Sequence, residues 1–352
     1  MTEGSARVYR PELDLLRFGA FLLVFLHHAL PHSSADYRIP EQAAMLLACI
    51  ARAGALGVDL FFALSAYLIT DLLLREQRSR GAIDIRAFYI RRILRIWPLY
   101  YFALLILVPA ISMLPEEHMP WKYSLAFALF AGNWACAAWG YPPSSFALLW
   151  SVSIEEQFYI TWPWLVRRGE IQLRRIAYGM LVIATATRVV LVIRDVHHPG
   201  TWCNTLARLD PIAGGALLAY FLNGALPQHS ARSRSLWIGL GGIVLIGAGS
   251  LGGNEGWPVL VTYPLAAAAS VAVIFGTLGS RMRAGAYLGS GSYLGKISYG
   301  LYVFHAAAIR VTPSPLIALS LTIAIAAVSY RYLESPFLRL KERFTRIGTP
   351  AV

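Results

Sequence analysis

Several ionisable side chains of this sequence lie inside long apolar runs, where they could do chemistry. Arg17 and His28 are eleven residues apart in one such run. On a helix they share a face, with the histidine about 16 Å further along the axis. Histidine takes up and releases protons near pH 7, and arginine binds anions through paired N–H groups. The pair therefore predicts a proton-transfer group and an anion-binding group on one face of one helix.

Carboxylates interrupt two further apolar runs. Asp59 lies in GVDLFFALSAYLIT, and Glu155 lies in LLWSVSIEEQFY, one helical turn after Ser151. An ionised group within a membrane is costly, so each one marks a candidate functional site. Either carboxylate could orient His28 or an acceptor, and the sequence leaves that choice open.

Two more patterns place polar side chains at helical spacing. In FYIRRILRIWPLYY, Arg92 and Arg95 are about one helical turn apart, so their guanidinium groups could bind one phosphate together. In KISYGLYVFH, Tyr302 and His305 share a helical stripe. We expect this stripe, with Ser151, to contact a substrate.

The composition indicates which elements carry these residues. Of 352 residues, 57% are hydrophobic and 14% are charged, whereas soluble domains average about 25% charged residues. The apolar residues suffice for roughly ten membrane spans of about 20 residues each. We therefore expect one all-α, polytopic membrane domain over residues 1–352, with about ten transmembrane helices at 12–31, 55–74, 96–114, 147–166, 176–193, 205–222, 236–252, 259–279, 297–311 and 316–333.

An eleventh apolar segment, 123–139, would reverse the orientation of every later span if it crossed the membrane. Basic residues concentrate between the spans, at 75–95, 167–175, 232–234, 281–296 and 339–346. If 123–139 does not cross, all these segments share the side of the N-terminus, which the positive-inside rule makes cytoplasmic. The arginines therefore predict ten spans with both termini cytoplasmic, in the inner or plasma membrane. They also account for the net charge of +12 without a nucleic-acid partner.

The sequence predicts neither a metal site nor a disulfide framework. His28 and His32 are four residues apart, but Pro31 separates them and no carboxylate lies close in sequence. The three cysteines are widely spaced among apolar residues and are odd in number. We expect them to be packing residues.

Six motifs, in this order, resemble the acyltransferase-3 family of membrane O-acyltransferases. The resemblance runs from Arg10 to Pro336, nearly the whole chain. It implies transfer of an acyl group, most often acetyl, from cytoplasmic acyl-CoA to a hydroxyl of a surface or exported glycan, or of a glycosylated metabolite. Acetyl-CoA would be a donor substrate rather than a tightly bound cofactor. The motifs are RPELDLLRFGAFLLVFLHH, GVDLFFALSAYLIT, FYIRRILRIWP, LLWSVSIEEQFY, ISYGLYVFH and YRYLESP.

The resemblance also implies roles for individual residues. The arginine and histidine of the family's first helix match Arg17 and His28, its arginine pair matches Arg92 and Arg95, and its W-S-x-x-x-E glutamate matches Glu155. The histidine would act as a general base, or as a transient acyl carrier in a two-step reaction. The arginine pair would bind the phosphates of CoA, and the first-helix arginine would hold the donor further along the same channel.

The chain also departs from the family pattern. Leu15 and Ala66 occupy positions at which the family often has glycine. These differences affect helix packing and do not replace a chemically active group. Many family members carry an extracytoplasmic hydrolase-like domain, which we do not expect here. The chain would then transfer the acyl group directly to its acceptor, or pass it to a separate partner protein or to a second copy of itself.

A transporter or translocase of a lipid-linked glycan is the alternative function. Such proteins also line a membrane path with buried arginine, histidine and glutamate. The six ordered motifs favour the enzyme, and the lack of a visible internal repeat weighs against the inverted-repeat transporters.

Overall fold

The computed structural model describes residues 10–252, 255–280 and 286–344, with side chains left out at 286–290. Within these ranges the chain forms fourteen helices of eight or more residues and no strand, so the fold is all-helical. Basic residues Arg281, Arg283 and Arg346 lie outside the described residues. The helices are α1 (Pro11–Ala29), α2 (Glu41–Gly54), α3 (Gly57–Arg80), α4 (Ile85–Ile111), α5 (Trp121–Ala128), α6 (Gly132–Trp139), α7 (Trp150–Val166), α8 (Glu170–Ile193), α9 (Leu209–Leu222), α10 (Ala231–Ser250), α11 (Val259–Thr277), α12 (Ala286–Lys296), α13 (Ser298–Val311) and α14 (Pro315–Glu342).

Five of the described helices are long and apolar enough to cross a membrane: α3, α4, α8, α11 and α14. Each of the ten apolar runs in the sequence contains a helix, but several of these helices are short or interrupted by charge. The all-helical membrane fold is therefore confirmed, and the count of ten spans stays a prediction.

The apolar segment 123–139 does not form one continuous helix. It contains the two eight-residue helices α5 and α6, which are separated where Phe130 adopts a left-handed φ of 54°. Each helix is about 12 Å long, well short of a hydrocarbon core of about 30 Å. Tyr100 and Tyr101 of α4 donate hydrogen bonds to the carbonyls of Phe127 and Ala128 at the break, at 2.8 and 2.9 Å. Protein groups thus satisfy these two backbone carbonyls, as they would have to at membrane depth.

Helix α1 is central in the bundle, where it packs against α2, α3, α11, α12 and α13. The turn between α2 and α3 approaches it so closely that no side chain would fit at two glycines. A Cβ on Gly54 would collide with the carbonyl of Leu23, and one on Gly57 would lie 2.7 Å from that of Ala20. This close packing fixes the helix that carries Arg17 and His28.

An ion pair joins the C-terminal end of α3 to the N-terminal end of α8. Arg78 Nε lies 2.8 Å from Glu170 Oε1. Because these two ends are adjacent, the chain between them, 81–169, leaves one end of the bundle and returns to it. This relationship bears directly on whether 123–139 crosses a membrane.

Candidate active site

The two ring nitrogens of His28 have different surroundings. Nδ1 lies 2.9 Å from the carbonyl oxygen of Val24 and 3.2 Å from Nε2 of His305. Because a carbonyl oxygen only accepts hydrogen bonds, Nδ1 carries the proton and Nε2 keeps its lone pair. Within the described residues Nε2 has no hydrogen-bond partner. The ring is therefore held in the tautomer that accepts a proton at Nε2.

His305 lies behind this ring and is completely buried. Its Nδ1 is 2.6 Å from the carbonyl oxygen of Tyr302, so this nitrogen carries the proton and Nε2 is left to accept from His28. Phe21 and Phe25 pack against the imidazole, with ring centroids 6.0 and 6.5 Å away. The structure places His305 against the His28 ring, and the substrate contact expected for it stays a prediction.

A cavity of ≈ 370 Å³ opens beside His28. This volume falls within the usual range of ligand pockets, about 300–1,000 Å³. His28 and His198 expose much of their surface at its wall, and Tyr141 and Arg310 are 40% and 47% exposed. The free nitrogen of His28 thus belongs to a side chain that a bound molecule can reach.

Tyr302 and Ser151 form a hydrogen-bonded pair at the edge of this cavity. Their hydroxyl oxygens are 2.7 Å apart, and Tyr302 donates to the carbonyl of Leu148 at 3.1 Å. Tyr302 lines the cavity, whereas Ser151 is buried and outside its lining. Of the two predicted substrate contacts, Tyr302 is therefore the one placed to touch a ligand, and Ser151 ties α7 to α13.

Glu155 lies one helical turn further along α7. Ser65 donates a hydrogen bond to its Oε1 at 2.9 Å, and Tyr159 donates to its Oε2 at 3.1 Å. The side chain is half-buried, and its charge interacts with those of Arg17 and Arg92. Glu155 therefore interacts with the charges of these arginines and makes no hydrogen bond to the histidine ring.

The predicted arginines come together at the other end of α1. Arg17 lies 3.1 Å from Asp14, and its charge interacts with that of Arg95. The guanidinium of Arg92 lies over the rings of Phe88 and Tyr159, 5.8 and 5.9 Å from their centroids. Its Nε is buried without a hydrogen-bond partner. Three cations from α1 and α4 thus interact electrostatically, and their joint binding of an anion stays a prediction.

Sequence reasoning missed two residues of this cluster, both from α14. The charge of Lys341 interacts with all three arginines, and that of Glu334 interacts with Arg95. Glu334 is buried with one carboxylate oxygen unpartnered. The motif YRYLESP was the available signal, since it puts a glutamate at the end of the last apolar run.

The structure pairs Asp59 with an arginine rather than with a histidine. The carboxylate is fully buried and accepts a hydrogen bond from Arg208 at 2.8 Å. The guanidinium of Arg208 in turn lies over Trp202 and Tyr263, 4.0 and 4.5 Å from the ring centroids. Neither Asp59 nor Glu155 hydrogen-bonds to His28. Asp59 is thus the counter-ion of a buried arginine.

Comparison with known proteins places the chain in a family. The sequence pattern of the acyltransferase domain family, Acyl_transf_3, matches residues 10–331. The chain belongs to the acyltransferase-3 family. No solved structure matches this acyltransferase-3 chain.

Curated relatives of this acyltransferase-3 protein are named as O-acetyltransferases. A Staphylococcus aureus (strain COL) protein named "Putative O-acetyltransferase" is 29% identical over 323 residues, which cover 81% of this chain and 52% of the relative. The Listeria monocytogenes peptidoglycan O-acetyltransferase OatA is 25% identical over 375 residues, covering 95% of this chain and 57% of the relative. The chain thus spans about half the length of the curated relatives it matches.

One departure of this acyltransferase-3 chain from its family pattern has a local explanation. Leu15 of α1, at a position where the family often has glycine, faces Gly291 of α12. A Cβ at Gly291 would collide with the Leu15 side chain. The glycine on the neighbouring helix therefore makes room for the leucine.

Proposed function

We propose that this chain is a membrane O-acyltransferase that moves an acetyl group from acetyl-CoA to a hydroxyl of a carbohydrate, in a surface or exported glycan or a glycosylated metabolite. The observation that carries the proposal is the tautomer of His28, whose lone pair is free at the wall of a ligand-sized cavity. General-base removal of a hydroxyl proton needs this arrangement.

In the proposed reaction, Nε2 of His28 takes the acceptor's hydroxyl proton while the oxygen attacks the thioester carbonyl. The C–S bond then breaks, and the CoA sulfur leaves with the proton that the imidazolium returns. The imidazolium is stabilised through Nδ1–H, which faces His305 Nε2 and the carbonyl of Val24. A two-step reaction through an acyl-histidine would use the same nitrogen.

For the donor, we propose that the cluster of Arg17, Arg92 and Arg95 holds the phosphates of CoA. Guanidinium groups are well suited to phosphate because they donate two N–H bonds in a fixed fork. Arg17 and His28 share a face of α1, about 16 Å apart along the axis. The extended arm of the donor would run along this face, past Glu155, to bring the thioester to the histidine.

For the membrane arrangement, we propose ten spans with both termini in the cytoplasm, in the inner or plasma membrane. The Arg78–Glu170 pair supports it, because it puts the ends of α3 and α8 on one side of the bundle. The chain between them would return to that side if α4 and α7 cross and the broken segment 123–139 does not. The arginine cluster would then face the cytoplasm and the cavity the outside.

For the acceptor, we propose a carbohydrate reached from the outer face, either directly or with a separate extracytoplasmic partner or second copy. The relative named as a peptidoglycan O-acetyltransferase supports a carbohydrate acceptor. A translocase would account equally for buried charge, but family membership favours acyl transfer.

The test is acetyl transfer in proteoliposomes that hold the purified protein. Radiolabelled acetyl-CoA is supplied on one side and a glycan extract on the other, and label in the glycan is counted. We expect label with the wild-type protein and none with His28→Ala. Movement of unlabelled glycan across the membrane with no acetyl transfer would support the translocase instead.

A further inference from the structure

Arg310 occupies the outer part of the same cavity. It follows His305 by five residues on α13, so it lies about 7–8 Å further along the helix axis. Together with Tyr302 and Ile309 it forms one wall of the cavity, and its side chain is 47% exposed. A molecule whose hydroxyl reached His28 would therefore pass Arg310 with another of its groups.

The charge on the cavity wall is one-sided. Among the described residues that line it, Arg310 is the one with a permanent charge, and none is an aspartate or glutamate. The other polar groups there are histidines and hydroxyls, which are neutral or able to gain a proton. Among these groups Arg310 is therefore the one that can form a charge-assisted contact with a carboxylate of a bound molecule.

Two glutamates outside the cavity lining balance Arg310, and they are held very differently. Glu117 is buried and lies 3.2 Å from Arg310 Nε. It also accepts two hydrogen bonds from Ser145, one from the backbone N–H at 2.8 Å and one from the side-chain hydroxyl. Glu116 lies 3.1 Å from Arg310 Nη1, but its side chain is 81% exposed. Exposed ion pairs are weak because water competes for both charges. A ligand carboxylate can replace Glu116 while Glu117 keeps the guanidinium oriented.

An apolar wall is available for the remainder of such a ligand. The rings of Tyr141 and His198 lie 5.7 Å apart at the cavity, and both are exposed. One face of a sugar ring carries mainly C–H bonds and packs on aromatic side chains. The cavity thus combines an aromatic surface, a cation and a proton acceptor.

We propose that Arg310 is the acceptor-recognition residue of this site and that the acceptor is an acidic, carboxylate-bearing carbohydrate. This inference rests on the proposed function, since it names the substrate class that the same cavity takes. The carboxylate would pair with Arg310 in place of Glu116. The hydroxyl to be acylated would lie at Nε2 of His28.

The test compares two acceptors that differ in one group: a uronic-acid oligosaccharide and its carboxyl-reduced, neutral counterpart. For the wild-type protein we expect the acceptor KM to be at least tenfold lower for the acidic sugar. Arg310→Gln should raise KM for the acidic sugar by about 10- to 150-fold, as expected for loss of a charge-assisted contact. The KM for the neutral sugar should stay unchanged.

Glu116→Gln should lower KM for the acidic sugar, because a competing carboxylate is gone. Arg194→Gln is the matched control, since Arg194 is exposed and outside the cavity lining.

Folding is controlled separately, because Arg310→Gln leaves the buried Glu117 without its cation. The double variant Arg310→Gln with Glu117→Gln removes that leftover charge and keeps an oxygen for Ser145. Equal wild-type KM values for the two sugars, or unchanged discrimination in both Arg310 variants, would overturn the inference and leave acyl transfer standing. If the wild-type protein acylates neither sugar, acyl transfer itself is judged by the glycan-extract assay described above. The role of Arg310 is then tested by calorimetric binding of the two sugars in the absence of donor. Tighter binding of the acidic sugar that is lost in the Arg310 variants supports the role of Arg310 in acceptor recognition. Equal binding of the two sugars overturns that role.

Discussion

Nε2 of His305 lies 3.2 Å from Nδ1 of His28, and it is the one side-chain atom within hydrogen-bonding distance of that imidazole among the described residues. The acceptor for Nδ1–H is thus a neutral histidine, together with a carbonyl oxygen, where acid–base sites often use a carboxylate. This arrangement fixes the tautomer without placing a negative charge inside the membrane, where such a charge is costly.

The first prediction separates the two adjacent histidines of α1. His28→Ala removes the proton acceptor and should lower kcat by about 10²- to 10⁴-fold, the usual contribution of a general base. His27→Ala should be much milder, since His27 lies off the face of α1 that carries Arg17 and His28 and is less exposed than His28. Acetyl transfer is measured alongside thermal unfolding of each variant. Equal losses in both variants would contradict a single catalytic histidine.

The second prediction concerns the positioning role of His305. His305→Ala should lower kcat and leave the KM values of donor and acceptor near wild type, because His305 touches His28 rather than either substrate. His305→Asn offers an amide oxygen to Nδ1–H and should recover part of the rate. Steady-state kinetics with each substrate varied would measure both effects. A rise in acceptor KM without a fall in kcat would return His305 to the role of a substrate contact.

The third prediction concerns the donor. Each charge-assisted contact to phosphate contributes about 1.5–3 kcal/mol, so alanine at Arg92 or Arg95 should raise the KM for acetyl-CoA about 10- to 150-fold. Lysine at either position should bring the KM for acetyl-CoA only part of the way back to the wild-type value, because a point charge lacks the paired donors of a guanidinium. Arg86→Ala, an exposed arginine of the same helix, is the control. An unchanged donor KM in the Arg92 and Arg95 variants would assign these arginines to membrane anchoring.

The fourth prediction is that Asp59 acts on stability rather than on the reaction. Asp59→Asn leaves the buried Arg208 without its counter-ion, which costs about 3–5 kcal/mol when one partner of a buried pair is lost. Replacing both residues by apolar ones, as Asp59→Leu with Arg208→Met, should recover most of the thermal stability. The stabilised double variant should keep its kcat in detergent. If the double variant is stable but inactive, Asp59 takes part in the reaction.

The fifth prediction tests the membrane arrangement at the two ends of α8. Single cysteines are placed at Arg168 and Arg194, each in a background without the native Cys49, Cys136 and Cys203. An impermeant thiol reagent outside intact cells should label the Arg194 position and leave Arg168 unlabelled until the membrane is opened. The reverse labelling pattern would mean that 123–139 crosses the membrane.

The sequence by itself determined the class of the protein. A chain with 57% hydrophobic residues can satisfy its backbone in lipid only through helices or a closed barrel, and its apolar runs have helical length. The sequence also showed which residues share one face of a helix. The 3.6-residue period puts Arg17 and His28 on one face, and it puts Arg92 and Arg95 one turn apart. The ordered motifs indicated the family, which the match over residues 10–331 confirms.

Only the tertiary structure decided which polar groups meet. Asp59 and Glu155 were equal candidates for orienting His28, and the structure pairs them with Arg208 and with Ser65 and Tyr159 instead. The partner of His28 is His305, 277 positions away, a contact that no local periodicity encodes. The physical reason is that helical spacing specifies the direction in which a side chain leaves its own helix. The choice of neighbouring helix depends on close packing, such as that of Gly54 against α1, which is a property of the assembled bundle.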